Sequence, residues 1–134
     1  MNVSERVIGR SNLRTVVHEA TRALKAEGFS IISEITIASE SENSNADTRE
    51  YPILLVCNPV LAYKAVSLDS RTGVLLTGRI AFREHDNGTI TVSVFNPLEC
   101  MDENMATSPL EEVSVEVTHH LHRAIARLQL SDIN

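Results

Sequence analysis

The sequence predicts a two-layer α+β fold, in which an antiparallel sheet carries two long helices on one face. Apolar residues recur at helical spacing in two segments, at about residues 12–27 and from Ser108 onward. Between these segments lie strand-like stretches, and Asp86-Asn87-Gly88 is typical of a hairpin turn. Two helices on one side of a sheet bury all the apolar surfaces together. We therefore expect the order strand, helix, four strands, helix.

The first third of the chain predicts a strand, a helix and a second strand. A short strand is expected at residues 3–9 and a helix at about residues 12–27. Ser11 is a suitable N-cap for this helix, and Gly28 stands where a left-handed residue ends a helix. In the strand at residues 29–38, alternation places four apolar side chains on one face: Phe29, Ile31, Ile35 and Ile37.

The rest of the chain continues this single domain, residues 1–134, with its core at about residues 12–130. Residues 39–50 are rich in Ser, Asn and Glu and predict a flexible loop. Residues 51–57 are apolar at odd and even positions alike, so both faces of this strand are apolar, which is typical of a central strand. A short helix is expected at residues 61–68. Two strands follow, at residues 74–83 and 89–95, before the last helix begins at Ser108-Pro109.

The sheet face opposite the helices, the open face, is predicted to be partly apolar. We expect Ile53, Leu55 and Cys57 to point toward the helices. The open face then carries Arg79 among the remaining apolar side chains: Ile32, Leu54, Val56, Leu75, Ala81 and Phe95. Such a face is typical of an interface or a ligand groove. We expect a homodimer that contacts through Ile32, Leu54, Val56 and Leu75, the alternative being that the 39–50 loop covers the face.

A small ligand on the open face is compatible with such a dimer. An arginine on a partly apolar surface needs an anionic partner. For Arg79 this partner is either Glu34 on a neighbouring strand or the carboxylate or phosphate of a ligand. The candidate ligand-binding residues are Tyr51, Cys57, Asn58 and Arg79. The leading hypothesis is a homodimeric, non-enzymatic binding domain that holds a small apolar, amphipathic or anionic ligand.

Cys57 supports an alternative function, a thiol-dependent enzyme or redox sensor. It precedes a short helix whose N-terminus lowers a thiol pKa, whereas burial against the helices raises it. Because full burial outweighs a helix dipole, we expect Cys57 to be a structural residue. Cys57 and Cys100 are far apart in the sequence, and no disulfide is expected. No nucleophile motif is visible, so no catalytic residue is assigned and enzymatic activity, though not favoured, is left open.

The composition disfavours several other function classes. The chain has 12 Lys and Arg against 18 Asp and Glu, a net charge of -6 and no Trp, which disfavours nucleic acid as a partner. No apolar run approaches the ~20 residues of a membrane span and no signal segment is visible, so we expect a cytoplasmic protein without a membrane partner. No cofactor motif occurs. His119 and His122 with Glu116 are interpreted as a solvated helix face and not as a metal site.

The block Tyr51-Pro-Ile-Leu-Leu-Val-Cys-Asn-Pro59, followed by Ala62, resembles the family named domain of unknown function 302. Further similarity lies at Gly73-Val-Leu-Leu-Thr77, at Asn96-Pro97 with Met101, and at Pro109-Leu110, so that the resemblance spans about residues 12–128. The family often has Leu-Leu-Pro-Cys where this chain has Leu75-Leu76-Thr77-Gly78, so paired-thiol chemistry is not expected here. The resemblance implies the fold predicted above, often dimeric, and no established reaction.

Overall fold

A computed structural model describes residues 3–38 and 49–131, which form a five-stranded antiparallel sheet with helices on one face. The strands are β1 (Val3–Ile8), β2 (Ser30–Ala38), β3 (Glu50–Cys57), β4 (Gly78–Glu84) and β5 (Ile90–Phe95). The helices are α1 (Leu13–Ala26), α2 (Pro59–Leu68) and α3 (Ser108–Ser131), with 3-10 helices at Ser70–Leu75 and Pro97–Cys100. The predicted α+β class is confirmed. Most of the predicted 39–50 loop lies outside the described residues.

The strand order is β1-β5-β4-β3-β2, and every neighbouring pair is antiparallel. Strand β4 is therefore central, and β1 and β2 form the two edges. Strands β4 and β5 make the predicted hairpin, with Gly88 at a φ of 87°. The longer connection from β3 to β4 contains α2, which packs against α3.

The ends of α1 follow from local hydrogen bonding. The N-cap is Asn12, one residue after the predicted Ser11, and its side chain accepts a hydrogen bond from the Thr15 backbone N–H at 3.1 Å. Gly28 has a φ of 91°, the left-handed conformation that the sequence predicts after the helix. The predicted apolar stripe packs into the core through Val16, Val17, Ala20 and Leu24.

The core lies between the helices and the sheet, and it corrects the predicted orientation of β3. Leu54 and Val56 are 1% and 0% exposed and face the helices, so their predicted place on the open face is wrong. Ile53, Leu55 and Cys57, which we predicted to face the helices, alternate with them and lie on the open face. Alternation cannot choose between the two sides when successive positions are all apolar, as they are from Tyr51 to Cys57.

A β-bulge in β2 changes the predicted pattern of that strand. Ile31 lies opposite Val56, but Ser33 lies opposite Leu55, so Ile32 is an extra residue between them. The bulge reverses the alternation, and Ile35 and Ile37 therefore point away from the helices, whereas Ile31 packs against the core. The predicted common face for Phe29, Ile31, Ile35 and Ile37 is wrong for this reason. Ile32 itself is exposed, but at the bulge and not in the regular alternation of the strand.

Leu75 also lies away from its predicted position. The predicted strand at residues 74–83 begins only at Gly78, because Ser70–Leu75 forms a 3-10 helix. This turn starts at Asp69, whose side chain accepts a hydrogen bond from the Arg71 backbone N–H at 3.0 Å. Leu75 packs against the core from this turn, so its predicted contact on the open face is wrong.

Candidate ligand site on the open sheet face

The register of the five strands defines the open face, because directly opposite residues in antiparallel strands share a face. Its side chains are Val3, Glu5 and Val7 of β1, Ser33, Ile35 and Ile37 of β2, Tyr51, Ile53, Leu55 and Cys57 of β3, Arg79, Ala81 and Arg83 of β4, and Thr91, Ser93 and Phe95 of β5. Apolar side chains occur on all five strands. On the edge strands Val3, Val7, Ile35 and Ile37 are 44–60% exposed. The predicted apolar open face therefore exists, but largely with other residues.

A hollow of about 530 Å³ lies on this face. It is lined by Glu5, Val7, Tyr51, Ile53, Ala81, Phe82, Arg83, His85, Thr91 and Ser93. This volume falls in the range of roughly 300–1,000 Å³ that small-molecule sites occupy. Of the predicted ligand-binding residues, Tyr51 lines the hollow, whereas Cys57, Asn58 and Arg79 lie outside its lining.

The polar groups of the hollow are distributed over three strands and the hairpin. His85 Nε2 lies 2.6 Å from Thr91 Oγ1, and Ser93 Oγ donates a hydrogen bond to Glu5 Oε2 at 3.2 Å. Arg83 is exposed and, within residues 3–38 and 49–131, its guanidinium has no hydrogen bond or ion pair. Sequence reasoning missed Arg83 and His85 as site residues. Arg83 could have been found from its spacing, because it lies four positions after Arg79 on the same strand and therefore on the same face.

Arg79 lies on the open face, as predicted, opposite Leu55 on one side and Phe95 on the other. Its predicted protein partner does not reach it. The bulge in β2 places Glu34 opposite Leu54, on the helix side, where it accepts a hydrogen bond from Arg14 Nη1 at 2.9 Å. The pairing of Arg79 with Glu34 is therefore wrong, and in the described part of the chain Arg79 has no ion pair.

A cluster of charged side chains lies on the opposite, helix side of the molecule. The Glu27 side chain, 5% exposed, contacts His120 Nδ1 at 2.9 Å, Arg127 Nη2 at 2.7 Å and Arg123 Nε at 3.6 Å. The hydrogen bond with His120, helped by the two arginines, holds the pKa of Glu27 below its ordinary value, although burial acts in the other direction. These contacts join the end of α1 to α3, and the cluster is therefore structural.

The sequence interpretation of Glu116, His119 and His122 was a solvated helix face. Glu116, His119 and His122 are exposed on α3. Among the residues that the structure describes, no group of three or more His, Cys, Asp or Glu is placed to hold a metal ion. No helix in those residues is long and apolar enough to cross a membrane.

The fold and the sequence motifs together identify the family. The family described as "Domain of unknown function DUF302" matches residues 7–128, most of the chain. This chain belongs to the DUF302 family. The crystal structure of an uncharacterized conserved DUF302 protein from Bacillus stearothermophilus is similar to it, with 18% identity, a TM-score of 0.78, and coverage of 95% of this chain and 98% of that one. At this identity the likeness shows the fold alone. A search of curated proteins finds no match.

The motif residues of this DUF302 chain have a structural explanation. Asn58 ends β3, and its Oδ1 accepts a hydrogen bond from the Leu61 backbone N–H at 3.2 Å, with Pro59 at the start of α2. Asn96 ends β5 in the same way and accepts from the Leu98 backbone N–H at 3.1 Å. Each Asn-Pro pair therefore stops a strand and caps the following helix.

The thiol chemistry of the alternative hypothesis finds little support in the DUF302 fold. Cys57 is half-buried on the open face, and burial raises the pKa of its thiol. Gly78 stands where the family often has its second cysteine, and a Cβ there would lie 3.5 Å from Leu121 of α3. A side chain at position 78 would therefore point to the helices, on the opposite side of the sheet from Cys57.

We expect Cys57 to react with iodoacetamide more slowly than Cys100 in the folded protein. Cys57 is half-buried with a raised pKa, so less reactive thiolate is available, whereas Cys100 is exposed. Mass spectrometry of the two cysteine peptides over time measures both rates, and the urea-unfolded protein is the control in which the rates should converge. Faster modification of Cys57 than of Cys100 would restore the thiol-dependent function.

Proposed function

We propose that this DUF302 protein is a non-enzymatic binding domain that acts as a homodimer and holds a small amphipathic ligand on its open sheet face. The observation that carries the proposal is the open face itself. It bears apolar side chains on all five strands and a hollow of small-molecule size, and the lining of this hollow includes Arg83, which has no ion pair in the described residues.

A second copy of the chain is the proposed cover for the apolar edge strands. Val3, Val7, Ile35 and Ile37 lie on the two outermost strands, and Val7 also lines the hollow. Two-fold pairing buries the same patch on both copies. Burial of each such side chain contributes roughly 1.5–3 kcal/mol before the cost of association is subtracted. This apolar patch therefore favours self-association over exposure to water.

Sedimentation velocity tests the dimer. We expect the wild-type protein at micromolar concentration to sediment at about twice its mass of 14.8 kDa. Ile35→Glu places a charge in the open face and should yield a monomer with an unchanged circular dichroism spectrum. Val115→Glu is the matched control, because Val115 is an exposed apolar residue on α3. A wild-type monomer across this concentration range would disprove the dimer.

Binding of a neutral apolar probe tests the hollow. N-phenyl-1-naphthylamine becomes fluorescent in an apolar site, and we expect it to bind the wild-type protein. Ala81 lies among the residues that line the hollow, so Ala81→Phe should fill it and weaken binding at least about tenfold. Ala126→Phe, at an exposed position of α3, is the control and should bind like the wild type. Equal binding by both variants would place the probe elsewhere.

A further inference from the structure

We infer that the ligand of the open face is an anion with an apolar body, and that Arg83 binds its carboxylate, sulfonate or phosphate head. This inference rests on the proposed function and adds to it the chemical class of the ligand and the residue that selects it.

Arg83 is the cationic side chain in the lining of the hollow. It extends from β4, the central strand, and no hydrogen bond or ion pair occupies its guanidinium in the residues that the structure describes. A guanidinium presents N–H donors in a planar fork that matches a carboxylate or phosphate with two parallel hydrogen bonds. An exposed arginine at the wall of an apolar hollow is therefore placed to select an anionic head group.

Both polar and apolar side chains lie near Arg83 in the hollow. Thr91 lies directly opposite Arg83 on β5, and Thr91 Oγ1 lies 2.6 Å from His85 Nε2. The apolar lining includes Val7 of β1 and the directly opposed pair Ile53 and Ala81 on β3 and β4. A ligand whose head lies at Arg83 can therefore place an apolar body over Ile53 and Ala81. This arrangement fits an amphipathic molecule better than a free inorganic ion.

Glu5 is the lining residue whose negative charge repels an anionic ligand. Removing the charge of Glu5 should therefore strengthen anion binding, whereas removing the charge of Arg83 should weaken it. Glu5 lies on β1, and β1 is two strands away from β4, the strand that carries Arg83. At the usual strand spacing the two strands are roughly 10 Å apart. The Glu5 carboxylate accepts a hydrogen bond from Ser93 Oγ and forms no ion pair with Arg83. The anionic head should therefore bind at the Arg83 end, with the Glu5 charge weakening its affinity modestly.

Two probes that differ by one charged group test the inference. Anilinonaphthalene sulfonate carries a sulfonate that N-phenyl-1-naphthylamine lacks, and fluorescence titration measures the affinity of each. We expect the wild-type protein to prefer the sulfonate probe. Arg83→Gln should weaken binding of the sulfonate probe at least about tenfold, because a charge-assisted hydrogen bond is lost. The same variant should change binding of the neutral probe by less than about twofold. Glu5→Gln should strengthen sulfonate binding by about twofold.

Arg79→Gln is the matched control, because Arg79 lies on the same strand and face but outside the lining of the hollow. The two arginines are four positions apart, about 13 Å along a strand, so sulfonate affinity should change by less than about twofold. Arg83→Lys keeps the charge and should retain more affinity than Arg83→Gln. Equal affinity of both probes, or no effect of Arg83→Gln, would overturn this inference but leave the proposed function standing. Failure of both probes to bind would overturn the proposed function itself.

Discussion

Leu54→Ala should lower the free energy of unfolding by about 2–5 kcal/mol. Leu54 is 1% exposed on the helix side of β3, so its truncation removes apolar contacts and leaves a cavity in the core. Urea unfolding followed by circular dichroism measures the loss as a shift of the midpoint. A domain of this size has a total stability of only about 5–15 kcal/mol, so this single change removes a large share of it.

Leu55→Ala is the matched control for this experiment. Leu55 is the next residue on β3 but lies half-buried on the open face. We expect its truncation to lower the stability of the fold by about 1 kcal/mol or less. An equal loss at both positions would show that the two faces of β3 have been assigned incorrectly.

Glu27→Gln should lower the stability at neutral pH by about 2 kcal/mol. Glutamine keeps the shape of the side chain but removes the charge that holds His120, Arg123 and Arg127 around a buried carboxylate. The loss is smaller than for a fully buried ion pair because both arginines are roughly half-exposed and remain hydrated. Glu116→Gln, at an exposed position on α3, is the control and should change the stability by less than about 0.5 kcal/mol.

The effect of Glu27→Gln should depend on pH in a defined direction. The pKa of Glu27 is lower in the folded protein than its ordinary value, first because of the hydrogen bond with His120. A lowered folded pKa stabilises the protein fully above the unfolded value, about 4.3 for glutamate, and this contribution disappears as the pH falls through the folded pKa. The difference between wild type and variant should therefore be largest near neutral pH and shrink below about pH 4. A difference that grows with acidification would contradict the charge-based explanation.

The sequence predicted the elements of the fold well, because their signals are local. Helical periodicity located α1 and α3, Gly28 marked the end of α1, and Asp86-Asn87-Gly88 marked the hairpin. The choice of faces is a tertiary property. In β3 every position from Tyr51 to Cys57 is apolar, so the side that faces the helices depends on the register with β4, which no local pattern encodes.

The candidate site was predicted only in part, for the same reason. An apolar open face with Arg79 follows from the composition of the strands, and Tyr51 lines the hollow. Arg83 was not predicted as a site residue, because the hollow that it lines is formed by side chains from several strands that are distant in the sequence. Glu34 matches Arg79 in charge, but the extra residue at Ile32 turns it toward Arg14 on the helix side.

The bulge at Ile32 also bears on how this sheet avoids growing into fibrils. Strand β2 is an edge strand, and a long, regular edge offers unpaired backbone groups on which a foreign strand can add. An extra residue interrupts the regular spacing of those groups and twists the edge, so an incoming strand cannot pair along its full length. The same irregularity that turns Ile35 and Ile37 onto the open face thus makes the edge a poorer template for unspecific strand pairing.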